Sequence, residues 1–231
     1  MARGDDRNLR EERNASVMIK NIIFDIDGTL WNSTEVVAEG WRRAVKETGY
    51  SKCVITGERL KGEFGLPMNI IADHVFSDLK DDDKKAELLK LCCKYEHELL
   101  EENTEDISYP GITSEIKELA KKYRIFIVSN CQKGYIELVC GKLGIEDCIE
   151  DHLCFGDTGL TKGETMRELM ERNGLSEKET VYVGDTAGDK AATEFAGATF
   201  VYAAYGFGEL EGEQYFVEKP NELYNVISNI K

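Results

Sequence analysis

The second half of the chain alternates short apolar runs with segments that have the periodicity of a helix. Four strands are predicted, at residues 124–129, 152–155, 180–183 and 199–203. Helices are predicted at 114–120, with Ser114 as the N-cap, and at 134–143, 163–173 and 187–196. Continuous apolar strands joined by helices of roughly 10–15 residues are typical of a parallel sheet that is buried on both faces. The pattern therefore predicts an α/β fold with helices on both faces of a parallel sheet.

The first half of the chain combines one strand with a long helical stretch. Residues 21–26 form a β-rich apolar run that ends at Asp27, and from about residue 33 to residue 107 the periodicity is helical. This order predicts a core made of residues 19–32 and 108–231, with an all-helical cap domain, residues 33–107, inserted into it. Residues 1–18 are polar and lack periodicity, so we expect them to form a flexible tail.

Two helices stand out within the predicted insertion. One contains Trp41 and is expected to end at Gly49. The other spans residues 83–102, and its apolar side chains recur on one face, at Leu88, Cys92, Tyr95 and Leu99. We expect that face to pack inside the helical domain and the strongly acidic opposite face to lie in solvent.

The composition is that of a globular protein with an excess of acids. The 231 residues include 29 Lys and Arg against 44 Asp and Glu, a formal net charge of −15, and 42% are hydrophobic. Such a chain is a poor binder of nucleic acid or anionic membranes, which proteins bind mainly through Lys and Arg. No apolar run approaches the roughly 20 residues of a membrane-spanning helix, and residues 1–20 lack the apolar core of a secretory signal. The seven cysteines lack CxxC spacing, so we expect neither disulfides nor zinc, and a cytoplasmic location.

Charged and polar side chains stand where the predicted strands end. These residues are Asp25 and Asp27, Ser129 and Asn130, and Asp185 with Asp189 four positions on, while Lys162 follows the loop after strand 152–155. Because the strands of a parallel sheet end at one edge, we expect these groups to meet there. Neighbouring carboxylates repel one another unless a cation neutralises them, and Mg²⁺ prefers carboxylate and phosphate oxygens. The arrangement therefore points to phosphoryl transfer.

Four segments, taken together, resemble the motifs of the haloacid dehalogenase superfamily of phosphatases. Residues 25–30, DIDGTL, resemble its first motif, and residues 128–130, VSN, resemble the second. Lys162 resembles the third motif and residues 184–189, GDTAGD, resemble the fourth. The order and spacing also agree, and the helical stretch before residue 107 is similar to the cap of the phosphoglycolate-phosphatase-like branch.

The resemblance implies a Rossmann-like core, a Mg²⁺ cofactor and a mechanism. Asp25 would attack phosphorus to form an aspartyl-phosphate, and Asp27 would act as general acid and then as general base. The implied phosphate-binding residues are Gly28, Thr29, Ser129, Asn130 and Lys162. The implied metal ligands are Asp25, the main-chain carbonyl of Asp27, Asp185 and Asp189. The expected substrate is a small phosphorylated metabolite of the phosphoglycolate, sugar phosphate or nucleotide type, and the sequence leaves the oligomeric state open.

The sequence also leaves other functions open. Residues 60–62, LKG, resemble a segment of β-phosphoglucomutase-type enzymes, but those mutases have a histidine in the first cap helix where this chain has Val37 or its neighbours. A non-catalytic binding protein on this fold would be expected to lose Asp25 or Asp27, and 2-haloacid dehalogenases lack the second of these aspartates. The phosphoglycolate branch usually has proline after its motif lysine, where this chain has Gly163, so the sequence does not single out phosphoglycolate.

Overall fold

The computed structural model describes residues 18–230, so the tail predicted for residues 1–18 lies outside the described part of the chain except for its last residue. Six parallel strands form one sheet in the order β3-β2-β1-β4-β5-β6. The strands are β1 (Asn21–Phe24), β2 (Arg124–Ser129), β3 (Ile149–Cys154), β4 (Thr180–Gly184), β5 (Thr199–Ala203) and β6 (Phe216–Val217). Since β1 lies between β2 and β4, the carboxyl ends of these three strands adjoin.

Ten α-helices are present within residues 18–230. Four of them lie in the stretch predicted as an insertion, residues 33–107: α1 (Thr34–Thr48), α2 (Gly57–Lys61), α3 (Met68–Val75) and α4 (Asp82–Glu102). The others are α5 (Ile112–Leu119), α6 (Tyr135–Leu143), α7 (Phe155–Thr158), α8 (Lys162–Asn173), α9 (Ala187–Ala196) and α10 (Leu223–Ser228). The stretch predicted as an insertion is thus helical, while its boundaries as a domain stay a prediction.

Alternate side chains of the sheet enter two separate hydrophobic clusters. Ile22 and Phe24 of β1 pack in the larger cluster, whereas Ile23 packs in a smaller one with Met166 of α8 and Ala192 of α9. The three β1 side chains are fully buried. Because both faces of the sheet are covered, the strands are apolar throughout, and this is why they appear as continuous apolar runs in the sequence. The predicted α/β fold is confirmed.

Two predicted elements, the strand 152–155 and the helix 114–120, have wrong boundaries. Strand β3 begins at Ile149, three residues before the predicted start, because the first part of this edge strand is charged and does not appear as an apolar run. Phe155 begins α7 instead of ending β3. Helix α5 has Gly111 as its N-cap, with a φ of 89°, and Ser114 lies inside the helix, where its Oγ donates to the Gly111 carbonyl (2.8 Å). Serine is common both at the N-cap and in the first turn of a helix, so its presence in the sequence does not distinguish the two positions.

Helices α1 and α4 pack closely against each other. A Cβ added at Gly40 of α1 would lie 2.7 Å from the Glu96 nitrogen and 2.9 Å from the Tyr95 carbonyl carbon. The buried positions of α4 recur every four residues, at Leu88, Cys92, Glu96 and Leu100. The predicted stripe is therefore confirmed at Leu88 and Cys92, and Tyr95 packs half-buried against the core cluster. It is wrong at Leu99, since the acidic Glu96 and Leu100 are the buried residues of this part of the helix.

Two further features bear on where the chain is found. None of the described helices has both the length and the apolar character needed to cross a membrane. All seven cysteines are free thiols, and four of them are buried. The cytoplasmic location stays a prediction.

Candidate active site

The carboxyl ends of β1, β2 and β4 bring the predicted site residues together. Asp25 follows β1, and its N–H donates to the Val183 carbonyl of β4 (2.9 Å), so the sheet itself holds this residue in place. Asp185 follows β4, and Ser129 is the last residue of β2. These three polar residues are buried at one edge of the sheet.

A buried lysine joins two of the acids. Lys162 begins α8, and its Nζ donates to Oδ1 of Asp25 (3.0 Å) and to Oδ1 of Asp189 (2.6 Å). Burial by itself would lower the pKa of Lys162, but the two carboxylates raise it above its ordinary value, and the ammonium stays charged. Burial would likewise raise the pKa of Asp189, yet Lys162 and the donors of Thr186 hold it below its ordinary value.

Local helix chemistry explains the spacing of the GDTAGD segment. Thr186 is the N-cap of α9, and its Oγ1 accepts a hydrogen bond from the Asp189 N–H (3.1 Å). In return, Oδ2 of Asp189 accepts from the Thr186 N–H (2.9 Å) and hydroxyl (2.7 Å). This reciprocal capping box leaves the other oxygen, Oδ1, for Lys162.

Asp25, Asp185 and Asp189 form a compact buried acidic cluster. One carboxylate oxygen from each lies within 4.8 Å of the others. Burial raises the pKa of Asp25 to about 7, and burial together with its acidic neighbours raises the pKa of Asp185 to about 8. Lys162 supplies one positive charge against three carboxylates, so the cluster is under-neutralised. Its all-oxygen donor set fits Mg²⁺, which these three residues would hold.

Close backbone approach shapes the surroundings of Asp185. A Cβ added at Gly28, whose φ is 85°, would lie 2.1 Å from Oδ2 of Asp185, so only glycine fits there. Oδ2 of Asp185 accepts the Phe207 N–H (2.7 Å), and Oδ1 accepts the Thr29 hydroxyl (3.3 Å). Gly28 and Thr29, both predicted to bind phosphate, therefore lie directly against the acidic cluster.

The carboxyl group of Asp27 belongs to a hydrogen-bond network of its own. Its Oδ1 accepts from Ser33 Oγ (2.6 Å), Tyr135 OH (2.9 Å) and Trp31 Nε1 (3.0 Å). Burial raises the pKa of Asp27, and these three hydrogen bonds act in the opposite direction. Within residues 18–230, no side-chain donor is bonded to Oδ2. Ser33 and Tyr135 are not among the site residues predicted from the sequence, where only the position of Ser33 just after the DIDGTL segment offers a signal.

A small cavity separates the site from helices α1, α3 and α4. Its volume is about 40 Å³, and Asp25, Asp27 and Ser129 form part of its wall. The helical segment supplies mostly apolar groups: Val37, Trp41, Phe64, Gly65, Leu66, Met68 and Ile71. The remaining lining residues are Glu96, Asn130, Cys131, Gln132 and Tyr135.

Glu96 is the one acid that α4 contributes to this cavity, contrary to the prediction that the acidic face of this helix lies in solvent. It is 3% exposed. Its Oε2 accepts from Trp41 Nε1 (2.9 Å) and its Oε1 accepts from Gln132 Nε2. Burial raises the pKa of Glu96 to about 7. Its position four residues after Cys92 was the only sign in the sequence that it faces inward.

Asn130 connects the end of β2 with the helical segment. Its Nδ2 donates to the Gly65 carbonyl (2.7 Å). This bond defines the orientation of the amide, and Oδ1 of Asn130 is then buried without a hydrogen-bond partner in the described part of the chain. The amide thus offers an acceptor beside the cavity.

The fold and the site together define a class of protein. A parallel sheet covered by helices on both faces, with buried aspartates and a lysine at its carboxyl edge, defines an enzyme with a Rossmann-like core and an acidic active site. The model of the haloacid dehalogenase-like hydrolase family matches residues 22–203 of this chain. The chain belongs to this family, as its motifs predict, and is an enzyme of the phosphatase type.

Individual proteins resemble the chain over most of its length. The glyceraldehyde 3-phosphate phosphatase of Methanocaldococcus jannaschii is 27% identical, across 93% of this chain and 99% of that protein. The phosphoglycolate phosphatase of Aliivibrio fischeri is 24% identical, across 84% and 87%. A haloacid dehalogenase-like hydrolase structure from Streptococcus pneumoniae superimposes with a TM-score of 0.76 at 20% identity, covering 90% of this chain and 97% of that one. The match to this structure supports the shared fold.

Proposed function

We propose that this enzyme hydrolyses the phosphate ester of a small metabolite in a Mg²⁺-dependent reaction that passes through an aspartyl-phosphate on Asp25. The observation that carries the proposal is the environment of Asp25. Its carboxylate is buried at the end of β1, 3.0 Å from Lys162 Nζ, and belongs to the acidic cluster that suits a divalent cation. A carboxylate held in one orientation beside a positive charge is well placed to attack phosphorus.

The neighbouring groups bind the phosphoryl oxygens. Lys162 keeps its charge at every physiological pH and attracts these oxygens while orienting Asp25. At the end of β2, the Ser129 hydroxyl and the N–H of Asn130 Nδ2 that does not bond to Gly65 add neutral donors, and the glycine at position 28 lets the backbone approach closely. When bound, Mg²⁺ neutralises the phosphate charge and polarises the phosphoryl group.

Asp27 carries the proton in this scheme. Its Oδ1 is held by three donors, so the proton resides on Oδ2, and burial raises the pKa of the carboxyl group. The acid first protonates the leaving ester oxygen. The resulting carboxylate then takes a proton from the water that hydrolyses the aspartyl-phosphate. Tyr135, Ser33 and Trp31 orient the carboxyl group during both steps.

The cavity and the relatives support a small substrate. A cavity of about 40 Å³ has room for only a few water molecules, so a large ester would require the helices to move. The relatives described above are named for glyceraldehyde 3-phosphate and phosphoglycolate, both three-carbon or smaller. The seven free thiols support a reducing, cytoplasmic location.

One observation bears on the phosphomutase alternative. Val37 of α1 is 2% exposed and lines the cavity, at the place where the resemblance assigns a histidine to the mutases. An apolar side chain there transfers no proton, which favours hydrolysis over isomerisation. Conversion of β-glucose 1-phosphate without release of inorganic phosphate would reverse this choice.

Substitution of the proposed nucleophile tests the proposal. We expect Asp25→Asn to lower Mg²⁺-dependent phosphate release from a panel of phosphorylated metabolites by about a thousandfold or more, because an amide does not attack phosphorus. Asp83→Asn, the same change at an exposed position of α4, is the matched control and should leave turnover unaltered. Circular dichroism verifies that both variants fold. Retention of a tenth or more of the activity by folded Asp25→Asn would show that Asp25 is not the nucleophile.

A further inference from the structure

The charges around the cavity are unusual for a site that receives an anion. Among the described residues that line it, Asp25, Asp27 and Glu96 are acidic, and none is Lys, Arg or His. The first two acids belong to the reaction proposed above. Glu96 does not, since it lies on α4 and not at the strand ends that carry the reacting groups. The part of the cavity that would hold the non-phosphate end of a substrate is therefore acidic and apolar.

Glu96 is held firmly in this position. Trp41 Nε1 and Gln132 Nε2 each donate to one of its carboxylate oxygens. The backbone at Glu96 also packs directly on Gly40, as described above, so α4 has no room to shift towards α1. Each carboxylate oxygen still has a free lone pair with which to accept a hydrogen bond from a ligand.

Asn130 provides an independent indication of the same preference. Its Oδ1 is buried without a partner, while its Nδ2 is already bonded to Gly65. A buried acceptor without a partner is costly, and a ligand that donates a hydrogen bond to it removes the cost. The Glu96 carboxylate and Oδ1 of Asn130 therefore both offer acceptor atoms to a ligand that donates hydrogen bonds.

Within residues 18–230, no Lys, Arg or His side chain lines the cavity, where it could balance a second anionic group. Lys162 is bonded to Asp25 and Asp189. Lys61 of α2 lies with its Nζ 5.9 Å from the centre of the Phe207 ring, outside the cavity lining. A substrate carboxylate or second phosphate would face Glu96 without compensation, and unpaired charge in a buried site is strongly disfavoured.

We propose that Glu96 is a specificity-determining residue that selects phosphate monoesters whose remaining part is uncharged and carries hydroxyl groups, and rejects esters with a second anionic group. The selection combines a hydrogen bond from substrate hydroxyl to carboxylate with repulsion of anions. The proposal rests on the proposed function. It separates the chain from its relative named for phosphoglycolate, which bears a carboxylate.

Two small substrates of matched size test the proposal. Wild-type enzyme is assayed with Mg²⁺ on glycerol 3-phosphate and on 2-phosphoglycolate at about pH 8.5, where a carboxyl group with a pKa raised to about 7 is ionised. We expect kcat/KM to be at least about tenfold higher for glycerol 3-phosphate. We expect Glu96→Gln to raise kcat/KM for 2-phosphoglycolate about tenfold, mainly through KM, and not to raise it for glycerol 3-phosphate. Glu102→Gln, the same change at an exposed position of α4, should alter neither value.

The possible outcomes are distinct. Equal or better hydrolysis of 2-phosphoglycolate by the wild type overturns the inference even when Glu96→Gln does not fold. An unchanged ratio of the two kcat/KM values in folded Glu96→Gln also overturns it. If neither compound nor the generic ester p-nitrophenyl phosphate is hydrolysed, the proposed function fails and the inference fails with it. Turnover without discrimination removes the inference alone.

Discussion

The contact between α1 and α4 at Gly40 places Glu96 in the cavity, and a methyl group at this position tests how tight the contact is. In Gly40→Ala, the new Cβ would lie 2.7 Å from the Glu96 nitrogen, 2.9 Å from the Tyr95 carbonyl carbon and 3.0 Å from the Glu96 Cα. All three are backbone atoms, which do not move aside as the end of a flexible side chain would. The two helices would have to separate by several tenths of an ångström.

Two effects of opposite sign determine the magnitude. Alanine favours a helix interior over glycine by about 1 kcal/mol. Overpacking of a close contact typically lowers the free energy of unfolding by about 1–3 kcal/mol, and this loss opposes the gain in helix propensity. Since the opposing atoms are backbone, we expect the upper part of that range, and a net decrease in the free energy of unfolding of about 1–2 kcal/mol for Gly40→Ala.

A second glycine in a helix isolates the steric effect. A Cβ at Gly141 of α6 meets only Oε1 of Glu146, at 3.4 Å, and this position is exposed. Gly141→Ala should therefore raise the free energy of unfolding by about 0.5–1 kcal/mol. Urea denaturation of both variants and the wild type measures the two differences. If Gly40→Ala proves as stabilising as Gly141→Ala, the α1–α4 contact is looser than described, and the firm placement of Glu96 loses its support.

Two further predictions concern the metal and the buried glutamate. Mg²⁺ at about 100 times its dissociation constant should raise the free energy of unfolding by about 2.7 kcal/mol, because it binds the acidic cluster of the folded protein. In a thermal-shift titration, Asp185→Asn should reduce this gain. An identical gain in the variant would show that the metal binds elsewhere. Folded Glu96 has a pKa of about 7, above its ordinary value of 4.5, so its neutral form stabilises the protein at low pH and this contribution is lost as the pH rises through that interval. Wild-type protein should therefore lose stability over this range, whereas the uncharged glutamine of Glu96→Gln should not. In the absence of metal, the free energy of unfolding of the variant minus that of the wild type should increase by about 2 kcal/mol from pH 5 to pH 8. A difference that does not vary with pH would show that Glu96 titrates normally.

Much of the molecule follows from local sequence patterns. The buried strands have apolar runs because both faces of the sheet are covered, and the acids at their ends are visible because Asp is rare next to such runs. These patterns locate Asp25 and Asp185, and the position of Asp189, three residues after the N-cap Thr186, reflects a capping box, which is a local interaction. The family resemblance uses the same short segments. The wrong prediction of Ser114 as an N-cap also has a local cause, because a serine in the first turn of a helix resembles an N-cap serine in the sequence.

Contacts between distant segments were decided only by the tertiary structure. Tyr135 donates to Asp27 across 108 positions of the chain, and Gln132 reaches Glu96 across 36. The periodicity of apolar residues along the chain does not predict such pairs, because a hydrogen bond between side chains depends on where two elements meet in space. Glu96 illustrates the point most clearly: its charge predicts solvent, but the close approach of α1 at Gly40 and the donors of Trp41 and Gln132 allow it to be buried. Short sequence motifs are enough to predict the class of chemistry, whereas the packing of α4 against α1 and the end of β2 establishes which groups line the cavity.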